Sequence, residues 1–134
     1  MTCNLTVIGL GYIGLPLASE ACRAGLAVLG FDSAPAVVEA LNAGRSHIDD
    51  VSDDDVSVMR DLGFVATGNP TDLADSDVLV ICVPTPLSSD GTPDLSAVID
   101  GSKLVAGSLR PGCLVVLEST TYPGTTDGTV SVFH

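Results

Sequence analysis

Short apolar runs alternate with amphipathic segments along most of the chain. The apolar runs are rich in β-branched residues, which is typical of buried strands, and the segments between them have the apolar spacing of helices. The predicted strands are 4–8, 27–31, 64–67, 78–83 and 113–118, with a further strand-like alternation at 129–133. The predicted helices are 13–24, 35–42, 53–62 and 94–107, with one helical turn at 71–75 whose predicted N-cap is Thr71. The order of the elements predicts parallel strands joined by right-handed crossovers.

This alternation predicts an α/β fold, with a doubly wound, Rossmann-like, mostly parallel sheet and helices on both of its faces. A chain of 134 residues has room for one hydrophobic core, so we expect a single domain over residues 1–134. Residues 78–83 are the most hydrophobic run, and we expect them to form the central strand, buried on both faces. Because 46% of the residues are hydrophobic but only 4% are aromatic, aliphatic side chains must fill the core.

Three glycines follow the first predicted strand directly. Gly9, Gly11 and Gly14 have the G-x-G-x-x-G spacing, and a helical pattern begins at once after them. In this arrangement the first glycine allows a tight turn, the second lets the backbone approach a pyrophosphate, and the third lets the helix lie close to the sheet. The N–H groups of the helix N-terminus then face the phosphates. The spacing predicts a dinucleotide site, and a glycine-rich turn in another kind of α/β protein is the alternative.

Asp32 ends the second predicted strand, close to the roughly 20 residues beyond the glycines expected for a ribose-binding acid. A carboxylate at this position accepts hydrogen bonds from the ribose hydroxyls and repels a 2′-phosphate. No Lys or Arg follows before Arg45, so the sequence favours NAD over NADP. In the alternative interpretation Asp32 caps the helix that begins near Pro35, a role that Ser33 could also take.

The chain is strongly acidic, with 17 acidic and 5 basic residues and a formal net charge of −12. Nucleic acids and anionic membrane surfaces attract basic proteins, so we expect neither as a partner. Aspartates cluster at 49–50 and 53–55, where a metal site and a solvated helix start are the two interpretations. The helix start is favoured because acidic residues stabilise the first helical turn and because the EF-hand spacing is absent. We therefore expect no metal.

The four cysteines form no C-x-x-C pair and have no metal-ligand spacing with either histidine. Cys82 and Cys113 lie in apolar runs, where a free cysteine behaves as a small hydrophobic residue. Reduced thiols are therefore expected. No signal peptide precedes the first strand, and no apolar run is long enough to span a membrane. These features together predict a cytoplasmic protein.

Polar residues follow two of the predicted strands. Pro84 and Pro86 break the ladder after the most hydrophobic strand and direct Thr85 toward the crevice in which α/β sheets bind ligands. A purely structural turn is the alternative for Thr85. Hydroxyl-bearing side chains are concentrated in 119–125, after the last buried strand, and they predict a polar floor for a site.

The chain carries three separated motifs: VIGLGYIGLP at 7–16, CVPTPL at 82–87 with PDLS at 93–96, and ESTTYPGTT at 118–126. Together these motifs closely resemble the N-terminal NAD-binding domain of the nucleotide-sugar 6-dehydrogenases. Within that family the similarity is to the enzymes for UDP-N-acetylglucosamine and UDP-N-acetylmannosamine, with UDP-glucose dehydrogenase as a close relative. Segment 41–50 is also similar to the family's loop after the second helix.

The resemblance implies an oxidoreductase of polysaccharide biosynthesis that oxidises the C6 hydroxyl of a UDP-sugar to a carboxylate. The family's reaction has two steps, uses two NAD and passes through a covalent thiohemiacetal. The resemblance implies that Tyr12 and Ile13 meet the pyrophosphate through backbone N–H groups and that Asp32 binds the ribose. Thr85 and Thr120 are implied to line the nicotinamide side, and Thr120 to help hold a catalytic water. The expected cofactor-binding residues are Gly9, Gly11, Tyr12, Ile13, Gly14, Asp32, Val83, Pro84, Thr85 and Thr120.

Part of the family's machinery has no counterpart in this sequence. None of the cysteines lies in the G-F-G-G-x-C-like context of the family's nucleophile, and the lysine and asparagine of its middle helix are absent. Asp127 and Gly128 stand where the family continues with glutamate and a helix. We therefore expect the cofactor half of a larger dehydrogenase that is inactive alone, binds a UDP-sugar only as the full-length enzyme and could form a homodimer. The alternatives are a stand-alone dinucleotide-binding module and the cofactor domain of another Rossmann dehydrogenase, such as a β-hydroxyacid dehydrogenase.

Overall fold

The structure is a computed structural model that describes residues 4–82, 91, 96–107 and 112–117. Strands in these ranges form one parallel sheet and comprise β1 (Asn4–Ile8), β2 (Ala27–Phe31), β3 (Val65–Thr67), β4 (Val78–Ile81) and β5 (Leu114–Leu117). The helices are α1 (Gly14–Arg23), α2 (Pro35–Asn42), α3 (Asp53–Asp61), a 3₁₀ helix (Pro70–Asp75) and α4 (Ser96–Ala106). The predicted α/β class with a parallel sheet is confirmed.

The strand order across the sheet is β3-β2-β1-β4-β5. β1 is therefore the central strand, and the prediction that residues 78–83 form the centre is wrong. β4 is an inner strand beside β1, and its long apolar run reflects burial on both faces, which every inner strand of such a sheet shares. From β1 the strand order runs outward in one direction to β2 and β3, and then in the other direction to β4 and β5. The order therefore reverses between the neighbouring strands β1 and β4. Open α/β sheets bind their ligands at such a switch point, outside the carboxyl ends of the strands.

Each face of the sheet has its own apolar core. Alternate residues of a strand point to opposite faces, so Val7 and Val80 join one core whereas Ile8 and Ile81 join the other. The first core is covered by α1, α2 and α3, and the second by the 3₁₀ helix and α4. The predicted arrangement of helices on both faces is confirmed, and it places α1 and α4 on opposite faces of the sheet.

Helix boundaries follow local start signals in most places. Pro35 occupies the first position of α2, and that helix has the predicted bounds. The predicted cap of the 3₁₀ helix is wrong, because Asn69 and not Thr71 is its N-cap. The side-chain oxygen of Asn69 accepts a hydrogen bond from the backbone N–H of Thr71 at 3.1 Å. The first N–H groups of a helix lack intrahelical acceptors, and in the 3₁₀ helix the residue ahead of the helix supplies one.

The aspartates at 53–55 form the first turn of α3, which confirms the helix-start interpretation. Ser52 is the N-cap: its hydroxyl accepts from the N–H of Asp55, and the Asp55 carboxylate accepts from the N–H of Ser52, each at 3.0 Å. In the described part of the chain, no three His, Cys, Asp or Glu side chains come together as metal ligands would. None of the helices described there is long and apolar enough to cross a bilayer.

Three cysteines fall within the described ranges, and none of the three forms a disulfide. Cys22 and Cys82 are buried, and burial raises the pKa of the Cys22 thiol above its usual value. Cys113 is half-buried at the start of the β5 region. The predicted strand-like alternation at 129–133 and the start of the helix predicted from residue 94 lie outside the described residues.

Candidate functional site

A cleft of about 830 Å³ opens at the carboxyl ends of β1, β2 and β4. Its floor is the turn after β1, and its two walls come from opposite faces of the sheet. The floor and strand ends contribute Ile8, Gly9, Leu10, Gly11, Tyr12, Ile13, Phe31 and Cys82. The first wall contributes Asp32, Ser33, Val37 and His47, and the second wall contributes Asp100, Gly101 and Leu104 from α4. The cleft therefore lies at the switch point of the sheet.

The glycines of the turn have different structural roles. Gly9 has a φ of +94°, a backbone conformation that favours glycine, and its N–H donates to the carbonyl of Phe31 at 2.8 Å. A Cβ at Gly14 would lie 1.7 Å from the carbonyl oxygen of Gly9, so only a glycine lets α1 begin this close to the turn. A Cβ at Gly11 would meet no heavy atom of the described residues within 4 Å. The protein itself therefore does not require glycine at residue 11, and its surface there is open.

The N-terminus of α1 borders this open surface and has no side-chain cap. Its N-cap is the apolar Ile13, whereas α3 is capped by Ser52. Within the described residues, the backbone N–H groups of Gly11, Tyr12 and Ile13 have no hydrogen-bond acceptor. Unpaired N–H groups at a helix N-terminus, together with the helix dipole, favour an anion such as a phosphate. The turn offers these donors to the cleft.

Asp32 lies on the first wall of the cleft, directly after β2. One carboxylate oxygen accepts from the N–H of Leu10 at 3.0 Å, and the other accepts from the N–H of Ala34 at 2.9 Å. Ala34 is the N-cap residue of α2, so Asp32 contributes to the start of that helix. This supports part of the alternative interpretation, in which Asp32 caps α2. Neither Asp32 nor Ser33 is the N-cap itself. A carboxylate has about four acceptor positions, so Asp32 keeps the capacity to accept from a ligand.

Tyr12 and Ile13 carry large side chains that remain exposed at the rim of the cleft. The side chain of Tyr12 is 72% exposed and that of Ile13 is 44% exposed. Both residues line the cleft, and their side chains lie outside the apolar core. Four further predicted residues, Val83, Pro84, Thr85 and Thr120, lie outside the described residues.

Several residues of the site were not predicted from the sequence. Gly30 in β2 faces the fully buried Leu10: a Cβ there would lie 2.8 Å from a methyl group of Leu10 and 2.8 Å from the Phe64 ring. The tight fit of Leu10 against β2 holds the glycine-rich turn in place. His47 and Asp100 also line the cleft. Asp100 lies in no motif, and His47 lies in segment 41–50, for which the sequence predicted no site residue; chain crossovers bring both to the cleft.

These features define a class of protein. A parallel doubly wound sheet, a G-x-G-x-x-G turn with unpaired N–H groups at the switch point and a carboxylate at the end of β2 are the parts of a dinucleotide-binding domain. The open position at Gly11 and the uncapped helix suit a pyrophosphate, and the Asp32 carboxylate suits ribose hydroxyls. The residues present therefore fit a nicotinamide dinucleotide.

The comparison with protein families narrows the class. Residues 3–133 match the model of the UDP-glucose/GDP-mannose dehydrogenase family, NAD binding domain. The chain belongs to this family. The predicted resemblance is confirmed, the cofactor is NAD, and the alternative of a different Rossmann dehydrogenase is set aside.

Named relatives agree with this assignment. The UDP-N-acetyl-D-mannosamine dehydrogenase of Pyrococcus horikoshii is 41% identical over 126 residues, which cover 92% of this chain and 30% of that protein. The UDP-N-acetyl-D-glucosamine 6-dehydrogenase of Pseudomonas aeruginosa is 35% identical over 92% of this chain and 29% of that protein. The solved structure of the P. horikoshii enzyme superposes with a TM-score of 0.91 and 39% identity, covering 97% of this chain and 31% of that chain. The chain thus spans about 30% of the length of the curated relatives it matches.

Proposed function

We propose that this chain is the cofactor domain of a nucleotide-sugar 6-dehydrogenase, which oxidises the C6 hydroxyl of a UDP-sugar to a carboxylate with NAD. The proposal is supported by the family match and by relatives whose names specify UDP-N-acetylmannosamine and UDP-N-acetylglucosamine. Residues 1–134 form the NAD-binding domain in this proposal, and the UDP-sugar binds to the full-length enzyme. A cytoplasmic location and a homodimer remain predictions from the sequence.

The described residues of the cleft have distinct roles in this proposal. The backbone N–H groups of Gly11, Tyr12 and Ile13 hold the pyrophosphate, and the Asp32 carboxylate binds the adenosine ribose. When bound, NAD supplies the nicotinamide that accepts a hydride. Val83, Pro84, Thr85 and Thr120 remain sequence-based predictions for the same cofactor. The role of this domain is to bind and orient the dinucleotide, since positioning the reactants accounts for a large part of catalysis.

One observation carries the proposal: α1 begins without a side-chain cap at the place where a Cβ on Gly11 would have no atom of the described part of the chain within 4 Å. A folded protein gains stability from a capped helix, worth about 1 kcal/mol for a good N-cap side chain. The arrangement at Gly11 is therefore the one expected where a ligand phosphate takes the place of the cap.

Calorimetric titration of the purified chain with NAD tests the proposal, with Gly11→Ala as the diagnostic variant. The added methyl group has room in the free protein and occupies the surface assigned to the pyrophosphate, so the melting temperature stays the same while NAD affinity falls by roughly tenfold or more. Gly107→Ala is the matched control, because a Cβ there makes ordinary contacts of 3.6 Å and Gly107 does not line this cleft. Absence of NAD binding to the folded wild-type chain, or unchanged affinity in Gly11→Ala, would overturn the proposal.

A further inference from the structure

The wall of the cleft contributed by α4 combines an apolar surface with a charged rim. Leu104 packs with Ile8 and Phe31 in the core on that face of the sheet, and all three side chains also line the cleft. Gly101 is buried beside them and contributes no side chain, although glycine in a helix interior costs about 1 kcal/mol relative to alanine. Asp100 lines the same wall and is exposed. The apolar residues of this wall form a slot, and the exposed Asp100 carboxylate belongs to its rim.

The slot adjoins the part of the site assigned to the ribose. Phe31 immediately precedes Asp32, and both residues line the same cleft. With the pyrophosphate at the glycine-rich turn and the ribose at Asp32, the adenine base must lie next to the ribose. Its flat apolar faces suit a surface made of Phe31, Leu104 and Gly101, and its polar edge then meets the rim.

The charge of Asp100 bears on which purine base the slot favours. The Asp100 carboxylate accepts hydrogen bonds and donates none. Among the described residues, no Lys, Arg or His lies at ion-pair distance from it. At position 6 adenine presents an amino donor, whereas a 6-oxopurine presents an oxygen that a carboxylate repels and carries its donor on the neighbouring N1. Resting on the function proposed above, we propose that Asp100 is a specificity-determining residue that accepts a hydrogen bond from the adenine 6-amino group.

The test compares NAD with nicotinamide hypoxanthine dinucleotide, in which an oxygen replaces the 6-amino group. The readout is the ratio of the two dissociation constants, measured by calorimetry for the wild-type chain, Asp100→Asn and Asp100→Ala. We expect the wild-type chain to prefer NAD by roughly tenfold, as a hydrogen bond to a charged acceptor implies. The Asn side chain both donates and accepts hydrogen bonds, and the Ala side chain does neither. We therefore expect the dissociation constants for the two dinucleotides to differ by no more than about twofold in both variants.

Asp61→Asn is the matched control, since it removes one negative charge from an exposed residue of α3 that does not line the cleft. In Asp61→Asn we expect the ratio of the two dissociation constants to equal that of the wild-type chain. A general electrostatic effect of Asp100 would change the affinities for both dinucleotides equally and leave the ratio unchanged, which would overturn this inference alone. A folded wild-type chain that binds neither dinucleotide would overturn both this inference and the proposed function. Thermal melts of each variant establish that the compared chains are folded.

Discussion

The carboxylate of Asp32 lies 3.0 Å from the backbone nitrogen of Leu10 and accepts its hydrogen bond. A single side chain at the end of β2 thereby fixes the glycine-rich turn that follows β1. The second carboxylate oxygen accepts from Ala34 at 2.9 Å, so the same group also orders the approach to α2. The residue proposed to bind the ribose is held in position before any ligand arrives. Such preorganisation lowers the entropic cost of binding.

The first prediction is that Asp32→Ala lowers both the stability of the fold and its affinity for NAD. Removing the carboxylate leaves the N–H of Leu10 without its acceptor in a partly buried site, which costs about 1–3 kcal/mol of unfolding free energy. Asp32→Asn keeps one acceptor oxygen and therefore loses less stability and less affinity for NAD than Asp32→Ala. Urea denaturation and calorimetry with NAD measure the two effects on the same samples. A stability equal to that of the wild-type chain in Asp32→Ala would show that these two hydrogen bonds do not hold the turn.

The second prediction concerns the choice between NAD and NADP. Asp32 and Asp100 are the carboxylates among the described lining residues, and no Lys or Arg is among those residues. A 2′-phosphate would add negative charge next to Asp32, and like charges about 4 Å apart repel by roughly 1–4 kcal/mol in partly solvated surroundings. We expect NAD to bind at least about tenfold more tightly than NADP, and this preference to narrow in Asp32→Ala. Increasing the salt concentration tests the cause, because screening weakens the repulsion. Equal binding of NAD and NADP by the wild-type chain would contradict the prediction.

The third prediction is that Gly30→Ala destabilises the chain although it lies in a strand, where alanine is usually tolerated. The new Cβ would lie 2.8 Å from both Leu10 and Phe64. Forcing additional atoms into a packed core costs about 1–3 kcal/mol. Because the methyl groups of Leu10 cause part of the clash, Leu10→Ala and Gly30→Ala together should cost less than the sum of the two single variants. Strictly additive losses in urea denaturation would show that the two residues are not coupled.

Local sequence signals predicted the elements whose causes are local. β1, β2 and α2 have the predicted bounds, because apolar runs and Pro35 mark them directly. The glycine turn and Asp32 could be singled out because their spacing carries a physical mechanism, and the structure places both at the cleft, where their binding of NAD stays a prediction. Gly30 and Asp100 were missed, since their significance depends on which distant residues the sheet brings next to them. The central strand was misassigned for the same reason: hydrophobicity reports burial and does not report the order of strands.

The fourth prediction is that the isolated 134-residue chain binds NAD and does not reduce it with UDP-sugars. A covalent step needs an activated thiolate, whereas burial raises the pKa of the Cys22 thiol and Cys82 is also buried. Absorbance at the NADH wavelength, with UDP-N-acetylmannosamine, UDP-N-acetylglucosamine or UDP-glucose present, measures the reaction. NADH formation above a blank without protein would contradict the prediction and would place reactive groups in this chain.

The last prediction concerns pH and the start of α3. The backbone N–H of Ser52, followed by its hydroxyl and then by Arg23, holds the pKa of the Asp55 carboxyl below its usual value. An acid whose pKa is lowered by folding stabilises the fold above its unfolded pKa of about 4 and loses that contribution as the pH falls through the folded value. Asp55→Asn should therefore lower the melting temperature at pH 7, and the difference from the wild-type chain should shrink below about pH 4.

Asp54→Asn is the control for this pH dependence, because it removes the same charge from the same helical turn outside the capping box. The helix dipole acts on both aspartates, whereas the reciprocal hydrogen bonds with Ser52 belong to Asp55 alone among the described residues of this turn. Ser52→Ala should reproduce most of the loss seen in Asp55→Asn, since it removes the acceptor for the N–H of Asp55, and a lost N-cap of this kind costs about 1 kcal/mol. If Asp54→Asn and Asp55→Asn lowered the melting temperature equally at every pH, general charge effects and not the capping box would account for the acid sensitivity of α3.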